Sequence, residues 1–373
     1  MQLYKLKELY SITSGLSKPA SQFGYGNPFL SFSIVFNNYH IPSSLIDLVN
    51  TSPLEIKRFS IKRGDVFVTR TSEKLDELGK SCVALQDYEK ATFNGFCKRL
   101  RPIVNESIIL PEYAQYLFRS KQFTNQIIYS CPMSTRASLN EEILNTIVLN
   151  IHSLSEQRHI VDIIGSLDDK IENNNKIIEK MNNLLNVKTN ELLLYKTKKF
   201  QLNDIIEECK EKAEIELVPY SVINTGKVII QNEQFNKEIA KNTKGKYKKI
   251  KKDYFVYNPS RINIGSIGVM EDEIGCVSPI YVVFKCIEEY KIYLQQLLTF
   301  DSMIKEINKR CSGSVRQALS FNDLCSIEIY DIEKEKLKIY NKYCDSIIRI
   351  TKKLEQENKL LENQKKLYLA KFF

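Results

Sequence analysis

The most chemically distinctive stretch of the sequence is a lysine-rich segment from Lys237 to Lys252. It holds eight lysines, one tyrosine and a single opposing acid, Glu238. Lysines grouped in a loop neutralise phosphates, which positions a protein on nucleic acid without reading its bases. The alternative is a solvated lysine face with no ligand. The residues of this segment that we predict to contact DNA are Lys241, Lys244, Lys246, Tyr247 and Lys248.

Two short polar loops, each following a strand-like run, carry side chains suited to reading bases. An arginine can donate two hydrogen bonds to guanine, and an asparagine pairs with adenine in the major groove. A purely turn-forming role is the alternative for both loops. The predicted contacts are Thr69, Arg70, Thr71 and Ser72 in the first half of the chain and Asn258, Ser260 and Arg261 in the second.

An arginine recurs at positions 180 residues apart, in Ser134-Thr-Arg136 and in Ser314-Val-Arg316. The residues leave two interpretations open. Arg136 and Arg316 either contact phosphate, or they have a structural role in which the forked guanidinium holds each globular part to a helix. Both arginines are therefore candidate DNA contacts.

No pattern for catalysis accompanies these residues. The sequence has no Gly-x-Gly-x-x-Gly loop for S-adenosylmethionine and no Gly-x-x-x-x-Gly-Lys-Ser/Thr loop for ATP. Its three histidines are scattered, and none of its nine cysteines lies in a Cys-x-x-Cys spacing. We predict a non-catalytic binding protein that needs no cofactor and no metal.

Length and charge agree with this prediction. A chain of 373 residues favours at least two hydrophobic cores, and its apolar share of 43% can supply them. The net charge of +9 favours a polyanionic partner, although a general basic bias of the proteome is the alternative. The start lacks the apolar run of a signal peptide, and the longest apolar runs are strand-sized. We expect a cytoplasmic protein with reduced thiols and no membrane partner.

The elements that must position these residues are duplicated. An offset of 180 aligns the second half with the first through a helix, a turn and a strand, and the offset becomes 188 further upstream. A period this long indicates a duplicated domain, because the repeats of a solenoid are much shorter. Examples of the pairs are Leu139 with Leu319, Phe67 with Phe255, and, near both starts, Leu6 with Leu202.

Each half ends in a segment whose apolar residues step by four and three, which predicts a long helix. Ser153 and Glu156 form a capping box at the start of the first helix, and Asp331 is the predicted N-cap of the second. Neither helix can bury its own stripe, so we predict that the two pair as an antiparallel coiled coil. Asn174 and Asn358 in the seam would set the register. The alternative is that each helix packs separately on its own domain.

The predicted fold class is therefore α+β, with two duplicated globular domains alternating with two long helices. The predicted boundaries are 1–152 and 200–330 for the globular domains, and 153–199 and 331–373 for the helices.

Three stretches resemble the specificity subunit of type I restriction-modification systems. They are Arg63-Gly-Asp-Val-Phe-Val-Thr-Arg-Thr-Ser-Glu73, the run from Tyr254 to Tyr281 with Asn258-Pro-Ser-Arg261, and Leu154-Ser-Glu-Gln-Arg-His-Ile160. The resemblance extends over essentially the whole chain. It implies two target recognition domains, each reading one half of a split, asymmetric sequence in double-stranded DNA, and a pair of spacer helices that sets the unread gap.

The resemblance also implies the partners. A specificity subunit of this kind docks two adenine methyltransferase subunits, which bind S-adenosylmethionine and carry the chemistry, and an ATP-dependent restriction subunit can join them. The competing interpretation is a non-catalytic coiled-coil scaffold protein in which the basic loops are incidental.

Overall fold

The computed structural model describes residues 1–72, 77–104, 106–131, 137–231, 243–311 and 318–373. The chain forms two compact units. The first contains residues 1–174 and 356–373, and the second contains residues 175–355. Each unit holds a globular part and a portion of each of two long helices.

The globular part of the first unit begins and ends in one antiparallel pair of strands. Gln2–Lys5 pairs with Val148–Ile151. The short helix Leu6–Leu9 follows, and the Leu6 N–H donates to the Ile147 carbonyl at 2.9 Å. This arrangement returns the chain to its starting point just before the first long helix.

A four-stranded antiparallel sheet forms the centre of this unit. Its strands lie in the order Tyr10–Ser14, Cys97–Pro102, Val66–Thr69 and Ser81–Val83. Both faces are covered, because three of the four strands, all but Tyr10–Ser14, contribute residues to two different hydrophobic clusters. The helices Pro111–Leu117, Lys121–Ser130 and Glu141–Thr146 contribute to the larger of these clusters.

The remaining elements of the first unit are short. A three-stranded sheet has the order Leu48–Val49, Phe23–Leu30, Thr92–Phe93. A two-stranded pair joins Thr71–Ser72 to Ala137–Ser138. The helical elements are Ala20–Gln22, Phe32–Asn37 and Pro53–Arg58.

The second unit repeats this plan, which confirms the duplication. Lys196–Gln201 pairs with Glu328–Ile332, and the Leu202 N–H donates to the Ile327 carbonyl at 2.9 Å. The central sheet has the same strand order, and three helices follow it again. The strands are Ile206–Glu208, Val282–Cys286, Phe255–Tyr257 and Ile267–Val269, and the helices are Glu288–Leu297, Asp301–Arg310 and Phe321–Cys325.

The second sheet of this unit is larger than its counterpart. It contains one parallel pairing, between Pro219–Val222 and Ile274–Val277. Its order is Val228–Ile230, Pro219–Val222, Ile274–Val277, Lys248–Lys251, and the 3₁₀ segments of the unit are Leu193–Tyr195, Leu202–Asp204 and Ile262–Ile264.

The long helices are Leu154–Leu192 and Lys334–Phe372, each of 39 residues. In the first unit Asp168 and Asn174 lie against Lys365 and Asn358 respectively, so the chain directions are opposed. In the second unit the Thr189 and Tyr340 hydroxyls are 2.7 Å apart in a buried contact. The predicted antiparallel pairing is confirmed within each unit. No helix of the described residues is long and apolar enough to cross a membrane.

The Lys365 ion pair shows how a charge is accommodated in this seam. Lys365 Nζ lies 2.5 Å from Asp168 Oδ1, and the Tyr116 hydroxyl donates to Asp168 Oδ2 at 2.9 Å. The ammonium also lies 3.8 Å from the centre of the Tyr39 ring. The seam position therefore tolerates a lysine because a carboxylate and an aromatic ring compensate its charge.

Two local predictions have different outcomes. The capping box is confirmed, since the Ser153 N–H donates to Glu156 Oε2 at 2.9 Å. The N-cap assigned to Asp331 is wrong, because Asp331 lies in a strand and the second long helix begins at Lys334. The Asp331 carboxylate instead accepts hydrogen bonds from the Tyr290 hydroxyl and the Ile332 N–H.

The run from Glu288 to Arg310 forms two helices, Glu288–Leu297 and Asp301–Arg310. The Thr299 N–H and hydroxyl both donate to the Gln296 carbonyl, at 3.0 and 2.7 Å. These local hydrogen bonds satisfy the end of the first helix and stop its propagation.

Candidate nucleic-acid interface

The loop after the central strand of the first unit is anchored by Thr69. This residue is fully buried, and its hydroxyl donates to the Glu77 carbonyl at 3.2 Å. Its amide donates to the Lys80 carbonyl at 2.9 Å. Thr69 therefore holds the turn in place, and the residues after it carry the accessible side chains.

Arg70 comes next and is half-buried. Its amide donates to the Phe96 carbonyl at 3.0 Å, and its guanidinium is 3.5 Å from the Gly95 carbonyl. Among the described residues it makes no ion pair with a carboxylate. Thr71 and Ser72 are half-buried in the two-stranded pair, and the Ser72 hydroxyl donates to Glu77 Oε2 at 3.2 Å.

Lys98 lies beside this loop and was not singled out by the sequence. It sits in the strand Cys97–Pro102, opposite Val68, with only 9% of its surface exposed. Its ammonium donates to the Ser14 hydroxyl at 3.4 Å. Burial lowers the pKa of Lys98, and the neighbouring Arg70 lowers this pKa further. The strand reads Cys-Lys-Arg-Leu-Arg-Pro, so the sequence does not distinguish Lys98 from the neighbouring Arg99 and Arg101.

The equivalent loop of the second unit is a side-chain-stabilised turn. Asn258 Oδ1 accepts from the Ser260 N–H at 3.1 Å, which supports the turn-forming interpretation for Asn258. The Arg261 N–H donates to the Asn258 carbonyl at 3.0 Å. Ser260 and Arg261 are exposed. The turn thus presents a hydroxyl and a guanidinium to solvent.

The lysine-rich segment is partly neutralised by acids. Lys249 Nζ is 2.6 Å from Glu211, Lys251 is 3.3 Å from the same carboxylate, and Lys252 is 2.5 Å from Glu273. The three paired lysines are the part of the segment that behaves as a solvated face. Lys237 and Lys241 lie outside the described residues.

The remaining lysines of the segment differ in exposure. Lys248 is half-buried and donates to the Tyr281 carbonyl at 2.7 Å, and burial lowers its pKa. Tyr247 is half-buried, whereas Lys244 and Lys246 are exposed and make no ion pair within the described part of the chain. Among the described lysines of this segment, Lys244 and Lys246 are therefore the two that are exposed and not paired with an acid.

Arg136 and Arg316 lie outside the described residues, but the chain just after each of them is placed. The Leu139 N–H donates to the Arg70 carbonyl at 2.7 Å, and the Leu319 N–H donates to the Pro259 carbonyl at 3.1 Å. In each unit, the segment that follows the recurring arginine is thus bonded to the loop that follows the central strand. Leu139 and Leu319 are therefore neighbours of the two loops.

These features define a class of protein that has two similar α+β units. The polar and basic loops of one unit differ from those of the other. Residues 1–183 match the family model of the type I restriction modification DNA specificity domain. A comparison with curated proteins finds no match.

Solved structures resemble the chain over its length. The S subunit of a type I restriction-modification system from M. genitalium is 12% identical, with a TM-score of 0.60, and the match covers 100% of this chain and 96% of that one. A structure concerned with complex assembly and conformational transition of the type I R-M system is 14% identical, with 99% and 96% covered and a TM-score of 0.46. The HsdS subunit from Thermoanaerobacter tengcongensis is 15% identical, with 99% and 95% covered and a TM-score of 0.37.

Residues 1–183 therefore resemble the type I restriction modification DNA specificity domain. The likeness to the M. genitalium protein shows that the chain as a whole has the fold of a type I specificity subunit.

Proposed function

We propose that this protein is the DNA-binding specificity subunit of a type I restriction-modification complex and that it reads a bipartite, asymmetric target. The observation that carries the proposal is the family match combined with the duplicated frame, in which both units hold a polar loop after the same strand. The two loops differ, with Thr-Arg-Thr-Ser in one and Asn-Pro-Ser-Arg in the other. Different side chains on equivalent frames would read two different half-sites.

In this proposal the globular parts, residues 1–152 and 200–330, are the target recognition domains. The paired helices set the number of unread base pairs between the half-sites. Exposed apolar side chains on these helices would dock two methyltransferase subunits, since such side chains are typical of interaction surfaces. They include Val187, Ile339, Leu360 and Leu367.

The chemistry would then belong to the partners. The methyltransferase subunits would bind S-adenosylmethionine, and a restriction subunit would use ATP. The assembly would act in the cytoplasm, which suits the nine free thiols of the chain.

The test is selection of bound duplexes from a random pool with the protein co-expressed with the methyltransferase subunit, followed by sequencing. Enrichment of two unlike short motifs at a fixed separation would support the proposal. A palindromic motif would contradict the two different half-sites.

One observation favours the scaffold alternative, in which the basic loops are incidental. Three lysines of the lysine-rich segment are already paired with acids. A salt titration separates the two functions, because phosphate contacts make affinity fall steeply with ionic strength. Retention on duplex DNA with no enriched motif would favour the scaffold.

A further inference from the structure

Lys98 differs from the other buried cations of the first unit in how it is compensated. Arg101 is paired with Asp65 at 2.6 Å, and Lys365 is paired with Asp168. Arg99 donates to the Ser60 carbonyl at 2.6 Å, and Arg119 donates to four backbone carbonyls. Each of these four cations has strong partners within the fold.

Lys98 has one weak partner by comparison. Its only side-chain hydrogen bond within the described part of the chain goes to the Ser14 hydroxyl, at the long distance of 3.4 Å. The Glu141 carboxylate raises the pKa of Lys98, but the combined effect of burial and Arg70 is larger and lowers it. Glu141 makes no ion pair with Lys98 in the described ranges. A buried cation without a counter-ion destabilises a fold unless a ligand compensates it.

The position of Lys98 is suited to a polyanion. Arg70 lies next to it, and among the described residues the guanidinium of Arg70 has only the Gly95 carbonyl as a partner, at 3.5 Å. Phe96 lies in the turn just before the strand of Lys98, and its carbonyl accepts from the Arg70 N–H at 3.0 Å. Phe96 is 61% exposed. Two uncompensated cations beside an exposed aromatic ring are a typical setting for a nucleic-acid backbone.

We infer that Lys98 and Arg70 together bind one phosphate of the DNA backbone beside the half-site read by the first unit. This inference rests on the proposed function and adds a positioning residue to it. The phosphate would supply the negative charge for these two side chains, since neither forms an ion pair with a carboxylate of the described residues. Binding one phosphate releases about one counter-ion, so the pair contributes affinity without distinguishing bases. In this inference Arg70 positions the loop on the backbone, and base reading by the loop is left to its neighbours Thr71 and Ser72.

The experiment measures binding by the complex of this chain with its methyltransferase subunit, on the selected duplex and on an unrelated duplex, at a series of salt concentrations. Lys98→Met keeps the length of the side chain and removes the charge. We expect the slope of log affinity against log salt to fall by about 0.9 and both duplexes to be weakened by the same factor. Lys98→Arg, which keeps the charge, should retain the slope.

Lys7→Met is the matched control. Lys7 is exposed and precedes the strand Tyr10–Ser14, whereas Lys98 pairs with the far end of that strand at Ser14. The control removes the same charge beyond the opposite end of that strand, which is about 14 Å long, and should leave the slope unchanged. An equal fall in slope for Lys7→Met would overturn the inference, as would an unchanged slope for Lys98→Met.

A second variant guards against a folding defect in Lys98→Met. Arg70→Gln should lower the slope by the same amount, and the double variant should lower it no further, because one phosphate is shared. A double variant that lowers the slope by about 1.8 would contradict a shared phosphate. Failure of the proposed function looks different, since the wild-type complex would then enrich no motif at all.

Discussion

Asn174 Nδ2 donates a hydrogen bond to Asn358 Oδ1 at 2.9 Å in the seam of the paired helices. The two residues are 6% and 8% exposed, and Asn174 also donates to Glu357 Oε2 at 3.1 Å. A buried amide pair stabilises the register in which its two members meet, because a slip of one helix along the other breaks the hydrogen bond between them.

Replacing both asparagines should therefore cost less than the sum of the two single replacements. Asn174→Val or Asn358→Val alone removes the hydrogen bond between the two amides and should lower the free energy of unfolding by about 1–3 kcal/mol. The double variant should lose less than the sum of the two single losses. Thermal unfolding of the four proteins measures this difference.

The control for this comparison is Asn173→Val, which makes the same change at an exposed position one residue away. It reports the cost of valine in a helix alone, about half a kcal/mol. Additive losses in the double variant would show that the two amides do not act as a pair.

The pH dependence of stability should reflect His152. This residue is buried, its Nδ1 lies 2.8 Å from the Tyr113 hydroxyl, and burial lowers its pKa. The unfolded chain then binds a proton at a higher pH than the folded chain, so stability is lost as the pH falls below about 6.5. His152→Gln should show a smaller drop in melting temperature between pH 8 and pH 5.5 than the wild type. Equal drops would mean that His152 does not contribute.

Much of the frame could be predicted from the sequence because it rests on periodic patterns. The duplication emerged from pairs such as Leu6 and Leu202, which prove to be equally buried and to make equivalent backbone hydrogen bonds. The capping box was predictable because its partners are three residues apart. The N-cap prediction for Asp331 failed because the Asp331 carboxylate accepts a hydrogen bond from Tyr290 and does not cap the helix. Tyr290 is distant in sequence, so a local pattern could not indicate this contact.

The candidate site was harder to predict, because it depends on which cations the fold compensates. Lys249 and Lys251 belong to the conspicuous lysine run, yet Glu211 neutralises both. Lys98 lies outside that run, in the strand Cys97–Pro102, and forms no ion pair with an acidic residue among the described residues. Charge density along the chain cannot report these pairings, since the acids come from remote segments.

Arg261 provides a test of base reading in the second unit. Its side chain is exposed, and Asn258 holds the turn through its own backbone and side chain. We predict that Arg261→Ala leaves the melting temperature unchanged and relaxes one base preference of one half-site by about 1–3 kcal/mol. Lys246→Ala is the control, and it should weaken all sequences equally. Selection from the random pool with each variant measures both effects.

The spacing between the half-sites should depend on the length of the paired helices. Seven residues make about two helical turns. Deleting seven residues from one long helix therefore keeps its apolar residues in phase and shortens that helix by about 10 Å. We expect selected duplexes to show a changed gap between two unchanged half-sites. Deleting four residues moves the apolar residues out of phase and should reduce stability, which separates a spacing effect from a folding effect. Altered half-site bases in the seven-residue deletion would contradict a spacer role, because the loops that read them would be untouched.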